Sequence, residues 1–224
     1  MKMIKPSYEI LTEISDNGIK ELQHIERIGR VCYKSEDRIT EDGESAKKFV
    51  GTLIRNGHEA MIEHSTLSVK FVVDRGVSHE LVRHRIASFA QESTRYCNYT
   101  KDKFGGEINV VDITDSIALD TKMKDMDSNV ITSIILEWFN AMKDAEKHYN
   151  RMIEMGASPQ MARGVLPTSL KTEITVTANY REWRNFFKLR VPMSAHPQMR
   201  EITIPLLKEL KERIPVVFDD IEVE

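Results

Sequence analysis

Two stretches far apart in the chain carry the same signature and constrain the fold most. From Leu67 to Val73, apolar Leu67, Val69, Phe71 and Val73 alternate with Ser68, Lys70 and Val72. From Thr172 to Asn179, Ile174, Val176 and Ala178 alternate with Thr175, Thr177 and Asn179. Successive side chains of a strand point to opposite faces, so each stretch reads as a strand with one buried face. Something apolar has to cover that face, and the chain supplies it as helices.

Ile19, Leu22, Ile25 and Ile28 recur at helical spacing and predict a helix over 19–31. A second is expected over 44–56, after the Asp42-Gly43 turn, with Gly57 as its left-handed cap. The longest runs over 128–155, where Ile131, Ile135, Trp138, Met142, Ala145, Tyr149 and Met152 recur at three and four residues and Gly156 closes it. Ser158-Pro159 opens a short helix that carries Arg163 and stops before Pro167. Further helices are expected over 77–85, 183–190 and 202–214, and further strands over 8–12 and 107–112. The segment 218–224 is expected to fray. Helices and strands mix without strict βαβ alternation. The fold class is therefore α+β, a mixed or antiparallel central sheet flanked by helices, in one domain spanning 1–224.

The chemistry concentrates between Arg83 and Tyr99, RHRIASFAQESTRYCNY. Arg83, His84, Arg85 and Arg95 stand beside Ser88, Gln91, Ser93 and Thr94. Guanidinium forks with hydroxyls between them suit a polyanion, most simply a phosphate. On a helix, Arg83, His84 and Arg85 would diverge by about 100° per residue, so they would serve different parts of a ligand, different ligands or different subunits. The whole chain carries a net charge of -3, which argues against a general nucleic-acid binder. No row of aromatic residues flanks the arginines for base stacking. The two cysteines, Cys32 and Cys97, fit free thiols in a reducing compartment. No apolar run approaches the roughly 20 residues that span a bilayer, and the start lacks a signal-peptide core. A cytoplasmic protein without membrane contact is expected.

Other candidates carry less. His58-Glu59-Ala60-Met61-Ile62-Glu63-His64 spaces its histidines six apart, not the four that a zinc helix needs, so no metal is expected. Cys97 has no base beside it in sequence, and Ser93 lacks the G-x-S-x-G elbow. Arg163 and Arg190 sit among apolar neighbours, where a ligand role competes with snorkelling or carboxylate pairing. Neither a G-x-G-x-x-G nor a P-loop occurs.

Arg83-His84-Arg85 followed by seven residues and Ser93 resembles the RHR-x7-S signature of flavin-dependent thymidylate synthases, the ThyX family. The likeness continues in order through CYKS at Cys32–Ser35, NGHEAMIEH at 56–64, STRY after the signature, ARGVLP around Arg163, Asn179-x-Arg181 and NFFKLR at 185–190. The resemblance implies a homotetramer that makes dTMP from dUMP, with 5,10-methylenetetrahydrofolate as methylene donor and NADPH-reduced FAD as hydride source. Several subunits would build each active site. By position it implies that Arg83, His84 and Arg85 hold FAD together with Asn179, Tyr180, Arg181, Asn185, Gln91, His58 and Ala60. Glu80, Leu81, Val82 and Arg83 would border dUMP. Gln91, Glu92, Ser93, Thr94, Arg95 and Arg163 would bind its phosphate and sugar, and Arg190 would contact the uracil ring and favour its ionisation. Many relatives carry Ser or Thr where this chain has Ala60. The Glu92 carboxylate would repel a phosphate, so it is expected to turn away or to act through its backbone. A catalytically silent flavin- or nucleotide-binding protein on the same scaffold is the alternative. The dUMP set around Ser93, Arg163 and Arg190 argues against it.

Overall fold

The computed structural model describes residues 1–223. In chain order its elements are β1 (Lys2–Ile4), β2 (Ser7–Ile10), α1 (Ile19–Val31), α2 (Glu44–Arg55), β3 (Thr66–Asp74), α3 (Arg75–Leu81), β4 (Ala87–Gln91), β5 (Asn109–Val111), α4 (Thr114–Ile117), α5 (Ser128–Glu154), α6 (Pro159–Ala162), β6 (Lys171–Asn179), α7 (Tyr180–Arg190) and α8 (Pro197–Arg213). The two alternating stretches are β3 and β6. They pair antiparallel along their full length, from Thr66 against Asn179 to Asp74 against Lys171. With β2 and β4 outside them they make a four-stranded antiparallel sheet in the order β2-β3-β6-β4.

The sheet keeps its apolar face dry. Leu67, Val69, Phe71, Val73, Ile174, Val176 and Ala178 pack with Trp183, Phe186 and Phe187 of α7, Ile202, Leu206 and Leu210 of α8, and the inner faces of α1 and α2. Trp183 is the hinge of this core: it lies against Phe71, Phe186 and Phe187, and its indole N–H donates to the Leu67 carbonyl at 3.0 Å. A buried indole keeps its stabilising area only if that donor is satisfied. On the opposite face Ser68 and Thr177 hydroxyls meet at 2.7 Å, a polar cross-strand pair. A smaller second core forms where β5 and α5 meet, around Tyr99, Ile108, Val110, Met142, Tyr149 and Leu170. β1 pairs parallel with β5 beside it.

Several expectations need correction. The helix expected over 77–85 starts earlier and ends at Leu81, so Arg83-His84-Arg85 lies in a turn. Short 3₁₀-type bonds, Arg83 N–H to Glu80 and His84 N–H to Leu81, close the end of α3. β1 and β4 were not expected: each is short and at a sheet edge, with no continuous apolar alternation. Tyr180 and Arg181 belong to α7, whose start is fixed by the Asn179 side chain accepting from the Glu182 N–H at 2.8 Å. The segment after α8 is anchored, with Val217, Phe218 and Ile221 buried. Arg184, only 1% exposed, ties it down through the Val217 carbonyl and the Asp220 carboxylate. Glu224 lies outside the described residues.

Candidate active site

Two clefts take residues from the motif region, one through Ile86 and the other through Thr94. The first, about 480 Å³, is lined by Glu59, Glu63, Ile86, Asn179, Arg181, Glu182, Asn185 and Lys188. The helix start at Asn179 sets it up: Asn179, Glu182 and Asn185 are three residues apart on the first turns of α7 and so share a side. The two carboxylates of the short 3₁₀ helix Glu59–His64 face them. Glu63 pairs with Arg181, and Glu59 pairs with Arg184 at 2.9 Å and approaches Lys188 at 3.7 Å. The HEAMIEH stretch thus orients cations and holds no metal cluster among the described residues. His58 and Ala60 are exposed on the same stretch and do not line the cleft.

The second cleft, about 280 Å³, is lined by Arg75 and His79 of α3, Thr94, and the Arg163–Leu170 segment. Arg163 donates to the Thr94 hydroxyl at 3.4 Å. Arg75 is the residue that sequence reasoning missed. Its Nη1 is shielded from solvent and has no hydrogen-bond partner among the described residues. A buried guanidinium N–H without an acceptor is costly, on the order of 1–3 kcal/mol, and an anion in the cleft would relieve it. The only signal in the sequence is its place in Asp74-Arg75-Gly76, directly after a clear alternating strand, which by itself reads as a strand end.

Between the clefts the motif divides by burial. Arg83 and Arg85 are exposed, and neither they nor Arg95 nor Arg163 pairs with a carboxylate among the described residues. His84 is 6% exposed and turns inward onto the edge of Phe186. Both of its ring nitrogens are engaged: Nε2 with Arg190 Nε at 3.1 Å and Nδ1 with Glu182 Oε1 at 3.0 Å. Its side chain therefore has no nitrogen left for a flavin, unlike its two neighbours. Burial pushes its pKa down, and the Arg190 charge adds to that against the opposing Glu182. Arg190 also donates from Nη1 to Glu80 Oε2 at 2.6 Å and from Nη2 to the Glu80 carbonyl at 3.3 Å. Three of its five N–H groups are used, which leaves two on the guanidinium tip for a ligand.

The remaining candidates sort similarly. Leu81 and Tyr180 are core side chains, 1% exposed each, so neither side chain faces a ligand. Val82 is exposed beside them. Gln91 spends its amide on Ser78 at 2.9 Å and Thr172 at 3.2 Å. Glu92 turns away as charge repulsion requires: Lys171 holds it at 3.0 Å and the Tyr99 hydroxyl donates to it at 3.0 Å. Its backbone N–H is taken by Glu173, so it offers neither group to an anion. Ser93 accepts from the Arg95 N–H at 3.3 Å in the following turn. Burial, with Glu92 adding to it, raises the Cys97 thiol pKa, the opposite of what a nucleophile needs.

The family model described as thymidylate synthase complementing protein, Thy1, matches residues 17–216. The chain is 33% identical over 214 residues to a flavin-dependent thymidylate synthase of Corynebacterium aurimucosum, covering 93% of this chain and 83% of that one. It is 30% identical over 200 residues to one of Mycolicibacterium vanbaalenii, covering 89% and 79%. Among solved structures, the UMP/dUMP methylase PolB of Streptomyces cacaoi bound with 5-Br dUMP superposes with a TM-score of 0.78 at 22% identity, over 98% of this chain and 96% of that one, which extends the likeness to the fold. With its alternating strands, its RHR turn and its two clefts in place, the chain belongs to the Thy1 family of flavin-dependent thymidylate synthases.

Proposed function

We propose that the protein converts dUMP to dTMP by reductive methylation, with FAD as cofactor and with NADPH and 5,10-methylenetetrahydrofolate as co-substrates. One observation carries the reading: Arg190, at the end of α7, is held by His84 and by Glu80 of α3, the helix whose Arg75 and His79 line the second cleft, and it keeps two guanidinium N–H groups uncommitted. A catalytically silent flavin binder would have no use for such a guanidinium.

The residues fit a flavin. Asn179 and Asn185 offer amides at the rim, Ile86 offers an apolar surface 68% exposed, and Arg83 and Arg85 have no neutralising carboxylate among the described residues. Arg181 completes the set. When bound, reduced flavin supplies the hydride for the methylene group. The chain's own residues do the rest. Arg163, Thr94 and Arg75 take the nucleotide phosphate in the second cleft, with Ser93 and Arg95 at its edge. The Arg190 guanidinium stabilises negative charge that develops on the uracil ring. Glu80 holds that guanidinium in place by its side chain and its carbonyl. Asn179, placed by its cap to Glu182, keeps the cofactor rim rigid.

The same reading takes the protein as a homotetramer. The N-terminal half of α5 supports it: Val130, Ile134 and Leu136 are exposed, although the helix has an apolar period and buries Met142 and Tyr149 further on. Val130 and Ile134 lie one turn apart on the same side, and an apolar pair left uncovered by its own chain suits a second copy.

The test is tritium release from 5-labelled dUMP by the purified, yellow protein with NADPH and methylenetetrahydrofolate. Release is expected. Its absence from a flavin-loaded sample would sink the enzyme reading. Arg190→Ala should bind flavin with unchanged absorbance and lose turnover by about a hundredfold or more.

A further inference from the structure

Glu182 has no role in the reading above. It is 8% exposed, in the first turn of α7, and it lines the cofactor cleft. Asn185 donates to both of its oxygens at 3.3 Å, and His84 Nδ1 lies 3.0 Å from Oε1. A carboxylate in the first turn of a helix is ordinarily explained by the positive end of the helix. That explanation leaves the contact with His84 without a purpose.

The hydrogen-bond bookkeeping supplies one. Arg190 Nε carries a hydrogen and can only donate. Its partner, His84 Nε2 at 3.1 Å, must therefore accept with its lone pair. A neutral imidazole with an unprotonated Nε2 carries its proton on Nδ1. The carboxylate at Nδ1 is the acceptor that makes this tautomer the favoured one. If the proton moved to Nε2, or if the ring took a second proton, an N–H would face an N–H and the guanidinium would lose its support.

We propose that Glu182 is a positioning residue for the reaction: it fixes the His84 proton on Nδ1, which leaves Nε2 as the acceptor that aims the Arg190 guanidinium. The chain of contacts runs from the cofactor cleft through Glu182, His84 and Arg190 to Glu80. The charged groups that face His84 are Glu182 and Arg190, with Glu80 behind Arg190. The inference rests on Arg190 acting at the uracil ring. Glu182 acts one step removed, since it touches neither the ring nor the phosphate cleft.

The test compares the flavin-loaded wild type with Glu182→Ala and Glu182→Gln. Nitrogen-15 histidine spectra, with His84 assigned from His84→Gln, read the tautomer without any need for turnover. The wild type is expected to show His84 neutral with its proton on Nδ1. Glu182→Ala should show the Nε2–H form. It should also lower kcat about tenfold, roughly the effect of one lost hydrogen bond to a charged group, with KM for dUMP moving less because the phosphate cleft is intact. Glu182→Gln keeps an oxygen acceptor, so it should lose only about threefold. It also removes the charge that favours the imidazolium, so the acidic limb of its kcat/KM profile should move to lower pH. A helix-end role would lower stability in both variants and leave the tautomer and the limb where they were. That result, or a wild-type His84 with its proton on Nε2, overturns the proposal. A wild type that shows the Nδ1–H form and has no turnover would sink the functional reading and leave the tautomer assignment to Glu182 standing.

Discussion

Arg75 shows most plainly how a single residue acquires a purpose from its surroundings. Its backbone N–H is fixed by the Thr168 carbonyl at 2.9 Å, and its side chain lines the second cleft. There Nη1 is buried with no acceptor among the described residues. We expect Arg75→Ala to weaken dUMP binding by about ten- to a hundredfold, the range for a charge-assisted hydrogen bond, and to leave flavin absorbance unchanged. Calorimetric titration with dUMP measures this, and an unaltered Kd would remove Arg75 from the site. The arginines of the RHR motif, by contrast, stand out by residue type alone. The burial of His84 between them does not, because it depends on α7, about a hundred residues away in the chain.

At the scale of elements, sequence patterns located the long pieces well. α1 occupies 19–31 as its apolar spacing requires, and α2 ends at Arg55 with Gly57 in the left-handed conformation, φ 69°. Strong periodicity decides such cases because each buried apolar side chain contributes roughly 1.5–3 kcal/mol to one arrangement. The helix after β3 went differently. Nothing in VSHELVRHR forbids a helix to Arg85, yet α3 stops at Leu81, where the hydrogen bonds of His84 with Glu182 and Arg190 compete with another helical turn. Fraying is expected over 218–224 because acidic residues dominate that stretch, and the two buried apolar side chains in it, Phe218 and Ile221, form no periodic pattern. Close helix packing offers a direct check. A Cβ on Gly29 of α1 would come within 2.5 Å of the Phe49 ring on α2. Gly29→Ala gains helix propensity but has to displace that ring, and overpacking of this kind costs about 1–3 kcal/mol. A urea midpoint equal to or above that of the wild type would show that the α1–α2 contact yields easily.

Across the whole molecule, one charge cluster joins the end of β3, the turn after β5, α4 and α8. Glu201 on α8 has a buried Oε2 without a partner among the described residues, with Asp115, Asp112 and Asp74 adding negative charge and Lys5 opposing them. Burial, first, and those carboxylates push its pKa up to about 7. Burial also raises Asp74. A group raised in the folded state holds a proton there that the unfolded chain has released. Stability therefore falls as pH rises from about 4.5 to about 7 and stays at the lower level above that. Glu201→Gln should flatten this slope and raise stability at pH 8 on the order of 1 kcal/mol, discounted for partial exposure. Urea melts at pH 5 and pH 8 test it, and an unchanged slope would count against the assignment. Asp220 pulls the other way, since its hydrogen bonds from Arg184 hold its pKa down and are lost only in acid. By itself the sequence determined the two central strands, their buried face and the identity of the family, because alternation, helical spacing and fixed motifs are local properties of the chain. The order of the strands, the turn that separates His84 from its two arginines and the cleft around Arg75 were decided only by tertiary structure. Each depends on a partner far along the chain, and no local pattern encodes which buried donor will be left without one.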